Sequence, residues 1–169
     1  MPVRGVGPAH GWHGNLILAR EAELEDLHQI DLPGFEPRGA LMADLSVGAQ
    51  RLRVVAAHLG LLPGSRAAQA EALLHRLAAL DDRPTLLMGD LNEWRQGARS
   101  PLARLEARLP QAPAMRSWPA RWPVLAYDRI MACEKGSLSD FTVHDTPLAR
   151  RASDHLPIKA RLSLDGSGA

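Results

Sequence analysis

An acid and an amide stand two residues apart in Met88-Gly89-Asp90-Leu91-Asn92-Glu93-Trp94. If the chain there is extended, alternate side chains point the same way and Asp90 and Asn92 share one side. Asp90 brings charge and proton-accepting capacity, while Asn92 brings a neutral donor and acceptor. Phosphate-ester hydrolysis can use that pair, one group to aim a water and the other to hold a phosphoryl oxygen. The competing reading is a strand that ends in a polar turn, because Gly-Asp and Asn are common turn residues. Three further polar sites fall at expected strand ends or loop starts: His58, Asp128 and Asp154-His155. Asp128 interrupts the apolar run Ala126 to Met131, where an unpartnered charge is costly. A histidine is a natural partner, since a carboxylate fixes its tautomer and raises its basicity. His155 could serve, and Asp154 adds an acid suited to an oxygen-preferring cation. Taken singly, Asp154-His155 also fits a turn, and Asp128 with Arg129 also fits a surface ion pair.

The elements that would position these groups follow from pattern. Thr85-Leu86-Leu87 reads as a buried strand bounded by Pro84 and Gly89. Leu41, Ala43, Leu45 and Val47 alternate with Met42, Asp44 and Ser46, and Leu52, Val54, Ala56 and His58 share a face after the turn at Gly48-Ala49-Gln50. That is a β-hairpin delivering His58 to a strand end. Ser65 is placed to cap a helix over 66–80, with Leu73, Leu77 and Leu80 on its inner stripe. Ser100-Pro101 opens a second helix carrying Leu102, Leu105 and Leu109. Further strands are expected at 15–19, 127–133, 139–144 and 158–164. Residues 20–38 read as a long irregular connection, 1–13 as a loose lead-in and 165–169 as a frayed tail. The mixture predicts one α+β domain, a layered sandwich with sheets at the centre and helices outside.

Bulk properties narrow the function. The 169 residues suffice for one domain with a core, at 46% hydrophobic and 23% charged residues. A net charge of +1 and scattered arginines give no nucleic-acid groove or anionic-membrane signature. The single cysteine, Cys133, excludes an internal disulfide and fits a reducing compartment or a small buried hydrophobe. No run reaches the roughly 20 apolar residues of a membrane span. The start of the chain lacks the apolar centre of a secretion signal. A soluble, cytoplasmic protein is expected.

His58-Leu59-Gly60-Leu61, Gly89 to Trp94, Tyr127-Asp128-Arg129-Ile130 and Ser153-Asp154-His155-Leu156-Pro157, in this order, resemble the endonuclease/exonuclease/phosphatase superfamily. The strand Gly14 to Arg20 and the positions of Arg66 and Gln69 are similar to that family as well. Trp118-Pro119-Ala120 through Ile130, with Pro147 to Ala152, resembles bacterial metal-dependent hydrolases often encoded beside cardiolipin synthases. The resemblance implies a DNase I-like four-layered α/β sandwich and a metal-dependent phosphoesterase. By position, His155 would be a base or phosphate contact oriented by Asp128, and Asp90 would activate water. Asn92 would hold a phosphoryl oxygen, and His58 would bind phosphate or assist the leaving group. Arg66 would contact substrate, and Asp154 with Asp90 would ligate Mg²⁺ or Mn²⁺. The substrate implied is a phosphate ester, in this subgroup a phospholipid-derived phosphodiester, with a DNA nuclease of the same fold as the alternative. The family also has chain ahead of the Gly-Asn-x-Ile-Leu strand, including a Gln-Glu whose Glu is the main metal ligand. Fourteen residues precede Asn15, and none supplies that pattern. Glu21, Glu23 and Glu25 read as solvated surface acids instead. An N-terminally shortened sandwich, self-association through exposed sheet edges, and a catalytically impaired or interaction-only form are the resulting expectations.

Overall fold

The structure is a computed structural model, and it describes residues 11–110 and 113–164. Most of the lead-in, residues 1–10, and the expected frayed tail, 165–169, lie outside them. Two two-residue strands, β1 (Gly11–Trp12) and β2 (Asn15–Leu16), open the described chain. The centre is a five-stranded sheet built from β3 (Glu23–Leu32), β4 (Arg38–Val47), β5 (Gln50–Ala57), β6 (Thr85–Asp90) and β7 (Asp128–Ala132), in that spatial order. β4 and β5 form the expected hairpin, with Ala43 opposite Val54 and Leu45 opposite Leu52. β5 and β6 run parallel, joined by a crossover through helix α1 (Pro63–Ala78), and β7 returns antiparallel to β6. Helix α2 (Ala103–Arg108) precedes β7, and helix α3 (Ala149–Ala152) lies between β8 (Gly136–Val143) and β9 (Ile158–Leu164), which pair antiparallel.

Period-two alternation assigns the two faces of the sheet. Ala40, Met42, Val55, Ala57, Leu87 and Met131 pack in one core with Leu73 of α1 and Leu105 of α2. Each fully buried leucine of this set contributes about 1.5–3 kcal/mol of transfer free energy. Leu102 and Leu109 are buried beside α2, as the helical spacing predicts. Ala43, Leu45 and Val54 form a second cluster on the opposite face, with Ile17, Leu27 and Met88 against it.

Three expectations are corrected. Residues 20–38 are not an irregular connection: they contain β3, a ten-residue edge strand. An edge strand buries little, so charges occupy both its faces, and a bulge between Leu24 and Asp26 breaks the alternation that would have betrayed it. The strand at 15–19 is only Asn15–Leu16. α1 starts before Ser65, with Pro63 in the first turn and no side-chain cap. Proline is preorganised for that position and lacks the N–H that would otherwise go unpaired. Ser65 is instead buried inside the helix.

Glu25 is exposed, as expected of a surface acid, and it is tied into an ion-pair network. At the end of the sheet away from His58, it pairs with Arg51 at 2.6 Å and Arg83 at 3.0 Å and accepts a hydrogen bond from Ser46. The hydrogen bonds from Arg51 and Ser46 pull its carboxyl from the ordinary 4.5 down to about 2. Asp81 is likewise held below the usual carboxylate range, first by Arg83 and then by Arg53. A depressed carboxyl pKa gives stability that is present above the unfolded-state pKa and is lost as pH falls toward the folded one. The urea midpoint should therefore fall as pH drops from 4.5 toward about 2, and the slope of that fall should flatten in Arg83→Gln. An unchanged slope in Arg83→Gln would refute the assignment.

Candidate active site

Strand register brings the polar groups together. Ala56 lies beside Met88 on the parallel pair, and Asp90 stands opposite Asp128 on the antiparallel one. Two residues beyond Ala56, His58 keeps the same facing as Asp90. Backbone bonds extend the sheet past the strand ends, from Leu59 N to the Asp90 carbonyl and from Leu91 N to the Tyr127 carbonyl, both 3.0 Å. His58, Asp90 and Asp128 line a cavity of about 530 Å³, which continues past Met88, Ile130 and Ile158 to the segment 14–18.

The strand does not break at Gly89 but runs on to Asp90. Gly89 has φ 142°, and a Cβ there would lie 2.0 Å from the Ala57 carbonyl oxygen. Glycine is what lets β6 pass that close to β5. The extended conformation that would put Asp90 and Asn92 on one side does not persist to Asn92. Asn92 has φ 52° and donates its N–H to Asp90 Oδ1 at 2.8 Å, an Asx turn. Its amide nitrogen donates to the Leu59 carbonyl at 2.8 Å. Asn92 is thus joined to Asp90 through a turn and not along a strand.

His155 arrives from the other side of the cleft. Leu156 N donates to the Ser117 carbonyl at 2.8 Å and Ala120 N to the Asp154 carbonyl at 2.7 Å, clamping two loops together. His155 Nδ1 then lies 2.8 Å from Asp128 Oδ2, and its Nε2 lies 3.7 Å from Asp90 Oδ2. The buried Ser117 donates to the same Asp128 oxygen. Across the site, His58 Nε2 is 3.5 Å from Asp90 Oδ2. Arg38 Nη1 sits 3.0 Å from His58 Nε2 and 3.1 Å from its Nδ1, and Glu36 holds Arg38 at 2.8 Å while accepting the Leu61 N–H.

These surroundings drive the two imidazoles apart. Burial lowers the His58 pKa, and the Arg38 charge lowers it further against the pull of Asp90. Burial also disfavours charge on His155, but the Asp128 hydrogen bond, with the Asp128 and Asp90 charges, outweighs it and raises the pKa. Burial raises Asp90, opposed by the Asn92 N–H and assisted by Asp128. One carboxylate thus lies between a histidine biased neutral and one biased cationic, a division suited to acid–base work.

Two expected site residues are placed elsewhere. Arg66 does not face substrate: it is buried, its guanidinium bonded to the Gly60 and Leu61 carbonyls and to Glu93 at 3.0 Å. Glu93, fully buried, also takes Arg95 at 2.8 Å, so this knot braces the loop after Asn92. Gln69 is similarly structural, tying Gly60 N to the Pro33 carbonyl. Asp154 is exposed and does not join Asp90, and its recorded bond is through the backbone carbonyl. Among the described residues no three His, Cys, Asp or Glu side chains converge so as to hold a metal ion. Mg²⁺ takes near-octahedral oxygen coordination. Asp90 and Asp128 each already give one oxygen to the site's own N–H and O–H groups. The donor set does not fit a metal cage. Asp128 does not pair with Arg129, which is buried and donates to the Ala126 and Glu93 carbonyls. Arg38 and Ser117 are site residues that pattern alone did not single out. The only sequence signal for Arg38 is its place at the head of the strand that pairs with the His58 strand.

A model of the Endonuclease/Exonuclease/phosphatase family matches residues 3–155. The uncharacterized protein YbhP of Escherichia coli K12 is 33% identical over 165 residues, covering 91% of this chain and 64% of YbhP. The chain thus spans less than two thirds of that relative. The human Nocturnin catalytic domain with bound sulfate superposes with a TM-score of 0.69 at 18% identity, covering 86% of this chain and 61% of the other. The mannosyl-6-phosphatase of Bacteroides thetaiotaomicron gives 0.71 at 13%, covering 85% and 68%. D. rerio TDP2 with a single-strand DNA product gives 0.67 at 18%, covering 85% and 69%. At these identities the solved structures speak to fold, which is the expected α+β DNase I-like one. The family match carries the rest: the chain belongs to the endonuclease/exonuclease/phosphatase family.

Proposed function

We propose that this chain carries the water-activating side of a phosphodiester hydrolase. The observation that supports it is the convergence of His58, Asp90, Asn92, Asp128 and His155 on one rim of the sheet, with two imidazoles biased to opposite charge states. His155, oriented by Asp128 and Ser117, offers a cationic N–H at Nε2 to a phosphoryl oxygen. Asp90, its proton affinity raised by burial, aims and deprotonates the attacking water. His58, kept neutral and fixed by Arg38, assists at the leaving oxygen. Asn92, already turned by its bond to Leu59, orients a phosphoryl oxygen through its carboxamide. The substrate proposed is a phospholipid-derived phosphodiester. No helix among the described residues is long and apolar enough to cross a membrane. DNA is less favoured, because a net charge of +1 offers little counterion release.

The family is typically dependent on divalent metal, and bound Mg²⁺ or Mn²⁺ would neutralise charge on the phosphoryl oxygens. With no three His, Cys, Asp or Glu side chains among the described residues placed to hold a metal ion, this chain is expected to show no saturable Mn²⁺ binding in the micromolar range by titration calorimetry. A tight isotherm lost in Asp154→Ala would contradict that and restore Asp154 as a ligand. The same donor count supports a second reading, a catalytically impaired form. Hydrolysis of bis-p-nitrophenyl phosphate with excess Mn²⁺ separates the two: turnover that disappears in Asp90→Ala supports the hydrolase, and none at any Mn²⁺ concentration supports the impaired form.

A further inference from the structure

The loops around the site carry an unusual share of exposed large apolar side chains. β5 and β6 end together, and their antiparallel neighbours β4 and β7 begin there, so one end of the sheet gathers the loops at 33–37, 58–62, 91–96 and 117–127. The bonds from Leu156 N to the Ser117 carbonyl and from Ala120 N to the Asp154 carbonyl add the 144–157 segment to the same end. On these loops Phe35 is 91% exposed, Leu61 63%, Trp94 55%, Trp122 78% and Leu148 76%. None of them lines the cavity that holds His58, Asp90 and Asp128, but their loops leave the sheet at the end where those three residues stand. Exposed arginines stand among them. Arg121 adjoins Trp122 and Arg151 follows Leu148 in α3, and neither has an ion-pair partner among the described residues.

Apolar groups of this size left in water, rimming a polar site, mark a surface that docks on something. The net charge of +1 carries no anionic-membrane signature over the whole chain, but locally the mixture with free arginines restricts the partner. Tryptophan and arginine favour the headgroup level of a bilayer, where one end of the side chain is wet and the other dry. Leu61 and Leu148 gain from an acyl boundary but cannot stack on bases, and no basic run is present to follow a phosphate backbone. We infer that the active-site rim is an interfacial docking surface for an anionic phospholipid bilayer, seating Phe35, Trp94, Trp122 and Leu148 at the acyl boundary and Arg121 and Arg151 at the head groups. Docked this way, the end of the sheet that carries His58, Asp90 and Asp128 faces the layer in which lipid phosphodiesters lie. The inference deepens the hydrolase reading by naming how its substrate is reached, but docking itself requires no turnover.

The test is co-flotation of the whole chain as His155→Ala with vesicles of phosphatidylcholine alone, and with vesicles of equal parts phosphatidylcholine and phosphatidylglycerol, alongside tryptophan emission. Flotation with the mixed vesicles and blue-shifted emission are expected. Adding Phe35→Ser and Trp122→Ser should weaken partition by about tenfold or more. Adding Arg121→Gln and Arg151→Gln should weaken it on the anionic vesicles only. In the otherwise wild-type chain these surface changes should leave hydrolysis of soluble bis-p-nitrophenyl phosphate unchanged, which separates lost docking from lost fold. Absence of flotation overturns the inference, as does equal flotation of the Phe35→Ser/Trp122→Ser form. Capture of a single-stranded oligonucleotide without vesicle binding also overturns it and makes the rim a nucleic-acid surface. Vesicle binding by a chain without hydrolytic activity leaves docking standing and counts against the hydrolase alone.

Discussion

Replacing His155 by alanine should cut turnover of bis-p-nitrophenyl phosphate by about 10²–10⁴-fold, the usual worth of a positioned proton-transfer or charge-stabilising group. The reasons lie in what else holds the ring. Asp128 receives both His155 Nδ1 and Ser117 Oγ on one oxygen, so the imidazole is fixed at one nitrogen and free at the other. Asp128→Asn should therefore also lose most activity, and it should lower the His155 pKa, because the Asp128 hydrogen bond is the main influence raising it against burial. The ring signals of His155 in an NMR titration check this directly. Loss of rate in Asp128→Asn with an unshifted His155 would mean that Asp128 acts on something other than the ring. The effects of His155→Ala and Asp128→Asn should not add, since residues acting as a unit are lost as a unit.

The largest stability effect is expected at Arg53, far from the site. Arg53 is 1% exposed and bonds Asp44 through Nε at 2.8 Å and Nη2 at 2.9 Å, with further bonds to the Asp81 carboxylate and carbonyl. Asp44 stands directly opposite it on β4. Removing one member leaves the other buried charge with a reduced set of partners, Asp81 for Arg53 or Arg83 at 3.4 Å for Asp44. The cost approaches that of a broken buried pair, about 3–5 kcal/mol. Asp44→Ala or Arg53→Ala should lower the thermal midpoint by about 10 °C for a chain of this size. The double change Asp44→Leu with Arg53→Met should recover much of that, because apolar replacement of a whole buried pair is often neutral. If the double variant is no more stable than the singles, Arg53 matters for its contacts to Asp81 and the β6 approach and not for the Asp44 pair.

Much of the central layer was legible because the physics is local. Leu41 to Val47 and Leu52 to His58 alternate and are separated by a glycine turn, so their pairing and facing followed from period two. The same periodicity put His58 and Asp90 on one face once their strands proved parallel. β3 was hidden by being an edge, where Glu23, Glu25 and Asp26 carry no burial requirement. The site was legible as residue types and order, and less so as geometry. Asn92 looked extended from its spacing but is turned by a hydrogen bond to Asp90, a competition between side chain and backbone that alternation cannot see. Arg66 was misread because its spacing after His58 says nothing about the buried Glu93 that claims it. Arg38 and Ser117 reach the histidines only through pairing of segments 20 and 38 residues away from them, from His58 to Arg38 and from His155 to Ser117 respectively.

The most direct measurement follows the fate of the attacking oxygen. Bis-p-nitrophenyl phosphate is hydrolysed by the whole chain with Mn²⁺ in ¹⁸O-enriched water, and the products are read by ³¹P NMR and mass spectrometry. If Asp90 aims water at phosphorus, the label appears in the phosphate monoester and the nitrophenol carries none, and both products vanish together in Asp90→Ala. Label in the nitrophenol, or undiminished product from Asp90→Ala, would contradict a phosphodiester hydrolase built on this rim.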